Sequence, residues 1–142
     1  MRSALEEPLK RTAINPASVV APKDRYAQAV SVDLGTATMV FVTGQQAWDP
    51  EGKLVGPGDM AAQTEQIFLI IQAILAEAGG TLSDVVKATC YVTEIRRWPE
   101  AAAVRNRYIG EPLAASTVVQ VTAMTDPGAL IEIEVIAVIA KD

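Results

Sequence analysis

One segment of apolar residues at helical spacing, bounded by helix-starting and helix-stopping residues, constrains the fold most strongly. Its apolar positions are Ile67, Ile70, Ile71, Ile74, Leu75 and Ala78. This i, i+3, i+4 spacing predicts a helix with one buried face. Asp59 is a suitable N-cap, and Gly79-Gly80 supplies the glycine that commonly follows a helix end. An amphipathic helix of this length needs a second apolar surface to pack on.

Short segments that alternate between apolar and polar residues, or that are continuously apolar, predict that surface to be a β-sheet. The predicted strands are residues 12–15, 26–32, 39–43, 85–93, 117–122 and 131–139. In the fourth of these, Val86, Ala88, Cys90 and Val92 are expected to share one face. A second helix is predicted from about Pro99 to Ile109, with the proline in its first turn.

The order of these elements predicts a single α+β domain, with two main helices packed on one face of a mixed sheet. The first helix is expected to link two parallel strands in a right-handed crossover. At 142 residues, the chain has the length of one domain. Residues 1–11 are polar and of mixed charge, and are expected to form a flexible tail before a domain over residues 12–142.

The charge balance argues against nucleic acid and anionic membranes as partners. The chain has 12 Lys and Arg against 17 Asp and Glu, and the basic residues are scattered. Nucleic-acid binders usually present a basic face, because phosphate contacts dominate their affinity. The longest apolar runs, 67–75 and 135–140, fall short of the ~20 residues of a membrane span. The N-terminus lacks the apolar stretch of a signal peptide, so a cytoplasmic location is expected.

The sequence contains no histidine and one cysteine, Cys90. A Ser-His-Asp triad, a Cys-His pair, the usual zinc ligand sets and an intrachain disulfide are therefore excluded. Acid–base chemistry would have to use carboxylates, tyrosine, lysine, cysteine or water. Cys90 itself lies among apolar neighbours, which indicates a buried structural thiol.

Four segments taken together resemble the Rid (YjgF-like) family. They are Tyr-Ala-Gln-Ala-Val at 26–30, Val-Thr-Gly-Gln at 42–45, Val-Val-Lys-Ala-Thr-Cys-Tyr-Val-Thr at 85–93 and Ile-Glu-Ile-Glu-Val-Ile-Ala at 131–137. The resemblance implies a chorismate-mutase-like fold and a homotrimeric barrel with three clefts between its subunits. Its best-known members hydrolyse reactive enamines and imines, such as 2-aminoacrylate, to 2-keto acids and ammonia. That chemistry needs neither a metal nor a cofactor.

Three positions of the family's cleft are kept in this chain. The resemblance places the cleft tyrosine on Tyr26, the cleft glycine on Gly44 and the carboxylate that positions water on Glu132. A strand-face aromatic is the alternative interpretation of Tyr26. Glu132 and Glu134 alternate with apolar residues, so both could simply be acids on a solvated strand face.

Three other positions depart from the pattern. The family's carboxylate-binding arginine falls on Ser116, its cysteine on Val118 and its cleft asparagine on Arg105. We hypothesise that Arg105 replaces the missing arginine from the other side of the pocket. An exposed helix face is the alternative for Arg105. The hydroxyls of Ser116 and Thr117 could bind a neutral polar group or cap the strand.

These residues predict a hydrolytic deaminase of an enamine or imine, acting on a small-molecule substrate other than the usual 2-imino acid. Glu132 and Tyr26 are its predicted catalytic residues. The predicted substrate-binding residues are Gly44, Arg105, Ser116, Thr117 and Val118. The alternative is a non-catalytic trimer that binds a small metabolite. Trp48 follows the glycine loop and forms either a wall of the cleft or a hinge.

Overall fold

A computed structural model describes residues 8–142, which form six strands and two main helices. The strands are β1 (Arg11–Ile14), β2 (Ala29–Asp33), β3 (Ala37–Gln45), β4 (Val85–Val92), β5 (Ala115–Gln120) and β6 (Ile131–Ala140). The helices are α1 (Met60–Glu77) and α2 (Trp98–Tyr108), and single 3₁₀ turns cover Leu82–Asp84 and Ile95–Arg97. Residues 1–7 of the predicted tail lie outside the described residues, and Arg11 already belongs to β1.

The six strands form one mixed sheet in the order β1-β2-β3-β6-β4-β5. All neighbouring strands are antiparallel except β4 and β5, which are parallel and are connected through α2. Both β3 and β4 run antiparallel to β6, which lies between them. The crossover through α1 therefore does link two parallel strands, but the final strand of the chain is inserted between them. The predicted α+β class with a mixed sheet is confirmed.

Helix α1 begins and ends where the sequence indicates. The Asp59 carboxylate accepts a hydrogen bond from the Ala62 backbone N–H at 3.0 Å, and Gly79 adopts a φ of 85° after the last turn. The buried face of α1 joins the sheet in one core that includes Phe68, Ile71 and Ile133. Helix α2 packs beside α1, where the Phe68 and Tyr108 rings stack with centroids 5.2 Å apart. No helix within residues 8–142 is long and apolar enough to cross a membrane.

Several local expectations are corrected by the long-range packing of the chain. Strand β2 starts at Ala29, so Tyr26 lies in the preceding loop and not in the strand. The register of β4 against β6 shifts between Val85 and Lys87, which buries Val85 and leaves Val86 47% exposed. A period-two pattern cannot reveal this shift, because an extra residue in one strand reverses the facing of everything before it.

Nothing within residues 8–142 covers the face of the sheet opposite the helices. Phe41, Val119 and Val138 are all exposed there. Polar side chains on the same face bond with one another: Lys87 Nζ donates to Thr117 Oγ1 at 2.6 Å, and the Tyr91 hydroxyl donates to Glu134 at 2.7 Å. The bond to the Glu134 carboxylate raises the pKa of Tyr91, so this phenol stays protonated at neutral pH.

The single thiol provides a test of the core. Cys90 is fully buried, as its apolar neighbours predict, and burial raises its pKa to about 11, although the charge of Arg105 lowers it somewhat. The thiolate is the reactive form, so below pH 11 the folded protein offers little of it. We expect Ellman's reagent at pH 8 to label Cys90 slowly in the native protein and rapidly in guanidinium chloride. Equal rates in the two states would contradict the burial.

Candidate functional site

The Glu132 carboxylate is held at one end of the sheet, where β3, β6 and the loop before β2 meet. Gln46 Nε2 donates to Glu132 Oε1 at 2.9 Å. Within residues 8–142, Oε2 has no hydrogen-bond partner, and no buried polar side-chain atom there is unsatisfied, so Oε2 is at least partly accessible to solvent. One oxygen thus fixes the carboxylate and the other can bind a water molecule.

Gly44 is the residue that allows this carboxylate to lie close to β3. A Cβ at position 44 would stand 2.8 Å from both Cδ and Oε2 of Glu132, which is closer than carbon and oxygen atoms pack. The pairing of β3 with β6 is irregular at this point, between Val42 and Gln45. The strand predicted over residues 39–43 is longer in the structure, because β3 continues through Gly44 to Gln45. The group that lies close to the Gly44 backbone is the side chain of Glu132.

Gln46 is a site residue that the sequence did not indicate. Its side chain is 2% exposed and uses both ends of its amide. Besides Glu132, Nε2 donates to Thr125 Oγ1 at 2.7 Å, while Oε1 accepts from the Asp126 backbone N–H at 3.1 Å. Gln46 therefore ties the loop before β6 to the carboxylate on β6. Local sequence carries no signal for this role, because the partner residues are 79 to 86 positions away.

Tyr26 lies near the same end of the sheet, on the rim of a cavity of about 540 Å³. This cavity, called here the Trp48 cavity, is lined by Lys23, Asp24, Tyr26, Trp48, Thr125, Asp126 and Pro127. Trp48 forms its wall, which favours the first of the two roles considered for that residue. The Trp48 indole donates to Asp126 Oδ2 at 2.9 Å, and this bond lowers the pKa of Asp126 together with a backbone bond from Gly128.

Arg105 and Ser116 are in direct contact. Arg105 Nη1 donates to Ser116 Oγ at 3.0 Å, while Nε and Nη2 both donate to Asn106 Oδ1. The guanidinium also lies over the Trp98 ring, 5.3 Å from its centroid. A second, smaller cavity of about 100 Å³ adjoins this pair. The cation gained at position 105 therefore lies beside the position that lacks the expected arginine.

The side chains of the other predicted site residues, Val118 and Thr117, form no hydrogen bond with Glu132 or with the Arg105–Ser116 pair. Val118 packs against the core, and Thr117 is bonded to Lys87 on the uncovered face. Glu132 is paired across from Tyr91 on that same face, whereas Ser116 pairs with Ala88 and faces the helices. In one chain, Glu132 with its neighbours and Arg105 with Ser116 thus lie on opposite faces of the sheet. A site that uses both would need a second copy of the chain.

The fold, in which β6 is inserted between the two strands that α1 connects, is that of a class of small α+β proteins, and sequence comparison identifies the family. Residues 17–139 match the family described as Endoribonuclease L-PSP. The chain belongs to this family, which is also called the YjgF, Rid or RutC family.

Individual relatives agree with this assignment. A RutC family protein of Pyrococcus abyssi is 37% identical over 116 residues, which are 82% of this chain and 87% of the relative. A 2-iminobutanoate/2-iminopropanoate deaminase of Bos taurus is 33% identical over 130 residues, 92% of this chain and 91% of the relative. The crystal structure of the Rid family protein YyfA of Yersinia pestis superposes with a TM-score of 0.81 at 31% identity. That match covers 90% of this chain and 98% of the other.

Proposed function

We propose that the protein is a hydrolytic deaminase of a reactive enamine or imine, acting in a cleft between the subunits of a homotrimer. The observation that carries the proposal is the Glu132 carboxylate, anchored by Gln46 on one oxygen and at least partly accessible to solvent on the other. The deaminase name of a relative that aligns with nearly the whole chain supports the same chemistry.

The reaction needs one carboxylate and one water molecule. An enamine first tautomerises to its imine. Protonation of the imine nitrogen makes the C=N carbon electrophilic. Water bound at Glu132 Oε2 attacks this carbon, forming a C–O bond, while the carboxylate takes a water proton. The proton then passes from the carboxylate to the nitrogen of the carbinolamine. The C–N bond breaks as the hydroxyl oxygen forms the C=O bond and gives its proton back to the carboxylate, and the products are a ketone or keto acid and ammonia. Tyr26, with its hydroxyl at the cavity rim, would orient the substrate.

The homotrimer is supported by two features of the single chain. An uncovered sheet face that exposes Phe41, Val119 and Val138 is an apolar surface of the kind that marks an interface. The separation of Glu132 from Arg105 on opposite sheet faces also favours a site assembled from two copies. Light scattering should give three times the mass of the chain, whereas a monomer would contradict the proposal.

We further propose that the substrate differs from the usual 2-imino acids. Ser116 stands where the family's carboxylate-binding arginine is expected, and Arg105 reaches the same place from α2. Arg105 is the better candidate to bind an anionic group, since its planar fork can meet both oxygens of a carboxylate. It would first have to exchange its bonds to Asn106 for bonds to the ligand.

The test is hydrolysis of imines generated in situ by an amino acid oxidase from acidic and from neutral amino acids. We expect ammonia and keto acid to appear faster with the protein than in buffer alone. No acceleration with any imine would overturn the enzymatic proposal. Tight binding of small acids without turnover would instead support the alternative, a metabolite-binding trimer, which is favoured by Ser116 at the position of the family's carboxylate-binding arginine.

A further inference from the structure

The Trp48 cavity contains a cation, Lys23, that forms no ion pair among residues 8–142. The ion pairs among residues 8–142 join Arg97 to Glu100, Arg107 to Glu65 and Lys141 to Asp33, and none of them includes Lys23. The Lys23 ammonium lies instead over the Trp48 ring, 3.9 Å from its centroid. A cation over an indole face is held in place while its N–H groups remain able to donate.

The wall behind this ammonium is rigid. Trp48 is 8% exposed, and its backbone oxygen accepts from Gln66 Nε2 at 2.9 Å in addition to the indole bond to Asp126. Both carboxylate oxygens of Asp126 are already used, one by Trp48 and the other by the Gly128 backbone N–H. Asp126 therefore fixes the wall. The charge of Lys23 helps to lower the pKa of Asp126, but among residues 8–142 the two side chains do not approach within ion-pair distance.

Most of the polar groups that remain available in the cavity are donors. The Tyr26 hydroxyl accepts a bond from the Lys23 backbone N–H, and the Thr125 hydroxyl accepts one from Gln46, so the proton of each hydroxyl is left to donate. With the Lys23 ammonium, three donors face one space. Asp24 and Asp126 are the opposing features, because both carboxylates line the cavity. Because both oxygens of Asp126 already accept bonds within the wall, the groups left to meet a ligand are three donors and the Asp24 carboxylate, and the donors point to an anionic ligand.

The cavity is next to the proposed reaction centre. Gln46 Nε2 donates to Thr125 of the cavity wall and to Glu132, so a single nitrogen atom separates the two acceptors. The volume, about 540 Å³, greatly exceeds that of a methyl or ethyl side chain. At about 30 Å³ per water molecule it has room for a longer substituent together with water.

We propose that the Trp48 cavity is a subsite for a carboxylate on the substrate's side chain, held by Lys23, Tyr26 and Thr125. The substrate class is then the imine of a dicarboxylic amino acid, which has one carboxylate more than the usual 2-imino acids, with that carboxylate at Lys23 and the other at Arg105 of a second copy of the chain. This inference rests on the proposed function for its reaction, although the binding preference that it predicts can be measured without turnover.

The test compares two keto acids of equal chain length, 2-oxoglutarate and 2-oxopentanoate, by calorimetric titration of the assembled protein. We expect 2-oxoglutarate to bind about tenfold more tightly, since one charge-assisted contact is worth roughly that factor. Lys23→Met should abolish the preference while leaving the affinity for 2-oxopentanoate unchanged, which also shows that the variant folds. Asp24→Asn should strengthen 2-oxoglutarate binding by removing a like charge from the rim.

Lys53→Met is the matched control, because Lys53 is an exposed lysine near Trp48 that does not line the cavity. It should keep the full preference for 2-oxoglutarate. Equal affinities for the two acids, binding of neither, or an equal loss in the Lys53 variant would overturn the subsite. A preference that depends on Lys23 without any imine hydrolysis would refute the proposed function and leave the subsite standing. Imine hydrolysis without a preference for 2-oxoglutarate would support the proposed function and refute the subsite.

Discussion

Replacing Glu132 by glutamine should lower the rate of imine hydrolysis by about 10²- to 10⁴-fold, the range typical for loss of a general base. The amide keeps the size of the side chain and can still pair with Gln46 if one of the two amides turns over. It cannot take a proton from water. The measurement is ammonia release at saturating imine, with the Michaelis constant determined alongside, and kcat is expected to account for most of the loss.

Glu134→Gln is the matched control for this variant. Glu134 is on the same strand and the same face, two residues further along, and its partner is the Tyr91 hydroxyl. It should retain activity within a few fold of the parent protein. If the two variants lost activity equally, the effect would belong to the charge of the strand face, and the role of Glu132 as base would be wrong.

Gly44→Ala should reduce kcat by about 10²-fold, the cost expected when a reacting group is misplaced by about 1 Å. The added methyl group would overlap the Glu132 carboxylate, which must move away from β3. The backbone at position 44 does not have the positive φ that favours glycine, so alanine is compatible with the strand. The melting temperature should therefore change little, because a side chain that can swing into solvent relieves the clash.

Gly110→Ala is the control that separates displacement of Glu132 from a general effect of replacing a glycine by alanine. A Cβ at position 110 meets nothing within 4 Å, and its φ is also not positive. Activity and melting temperature should both be unchanged in this variant. If Gly44→Ala lost stability in proportion to activity, the glycine would be needed for folding and not for placing the carboxylate.

The sequence predictions are right where they depend on neighbouring residues and wrong where they depend on pairing between strands distant in sequence. Helix α1 was predicted with its ends because the Asp59 cap and the Gly79 turn depend on neighbouring residues only. The facing of Val86 was wrong because the register shift in β4 arises from its pairing with a strand about 50 residues away. Tyr26 was assigned to a strand on its alternating neighbours, whereas pairing with β3 begins at Ala29.

The residues of the candidate site also fall into two sets, those found from the sequence and those found only in the structure. Glu132, Gly44 and Tyr26 were found through the family resemblance, since alternation along β6 does not separate Glu132 from Glu134. Gln46 and Lys23 carry no comparable signal, because an amide or a lysine in a loop has no periodicity. Only contacts between distant parts of the chain assign them a partner.

By itself, then, the sequence determined the α+β class, the capped helix with its buried face, and the absence of histidine chemistry. These follow from residue types and from spacings of a few residues. The tertiary structure alone decided that Gly44 admits the Glu132 carboxylate, that Gln46 holds it, and that Arg105 lies on the other side of the sheet. Each of these depends on pairing between strands remote in sequence, and such pairing is set by packing of the whole domain.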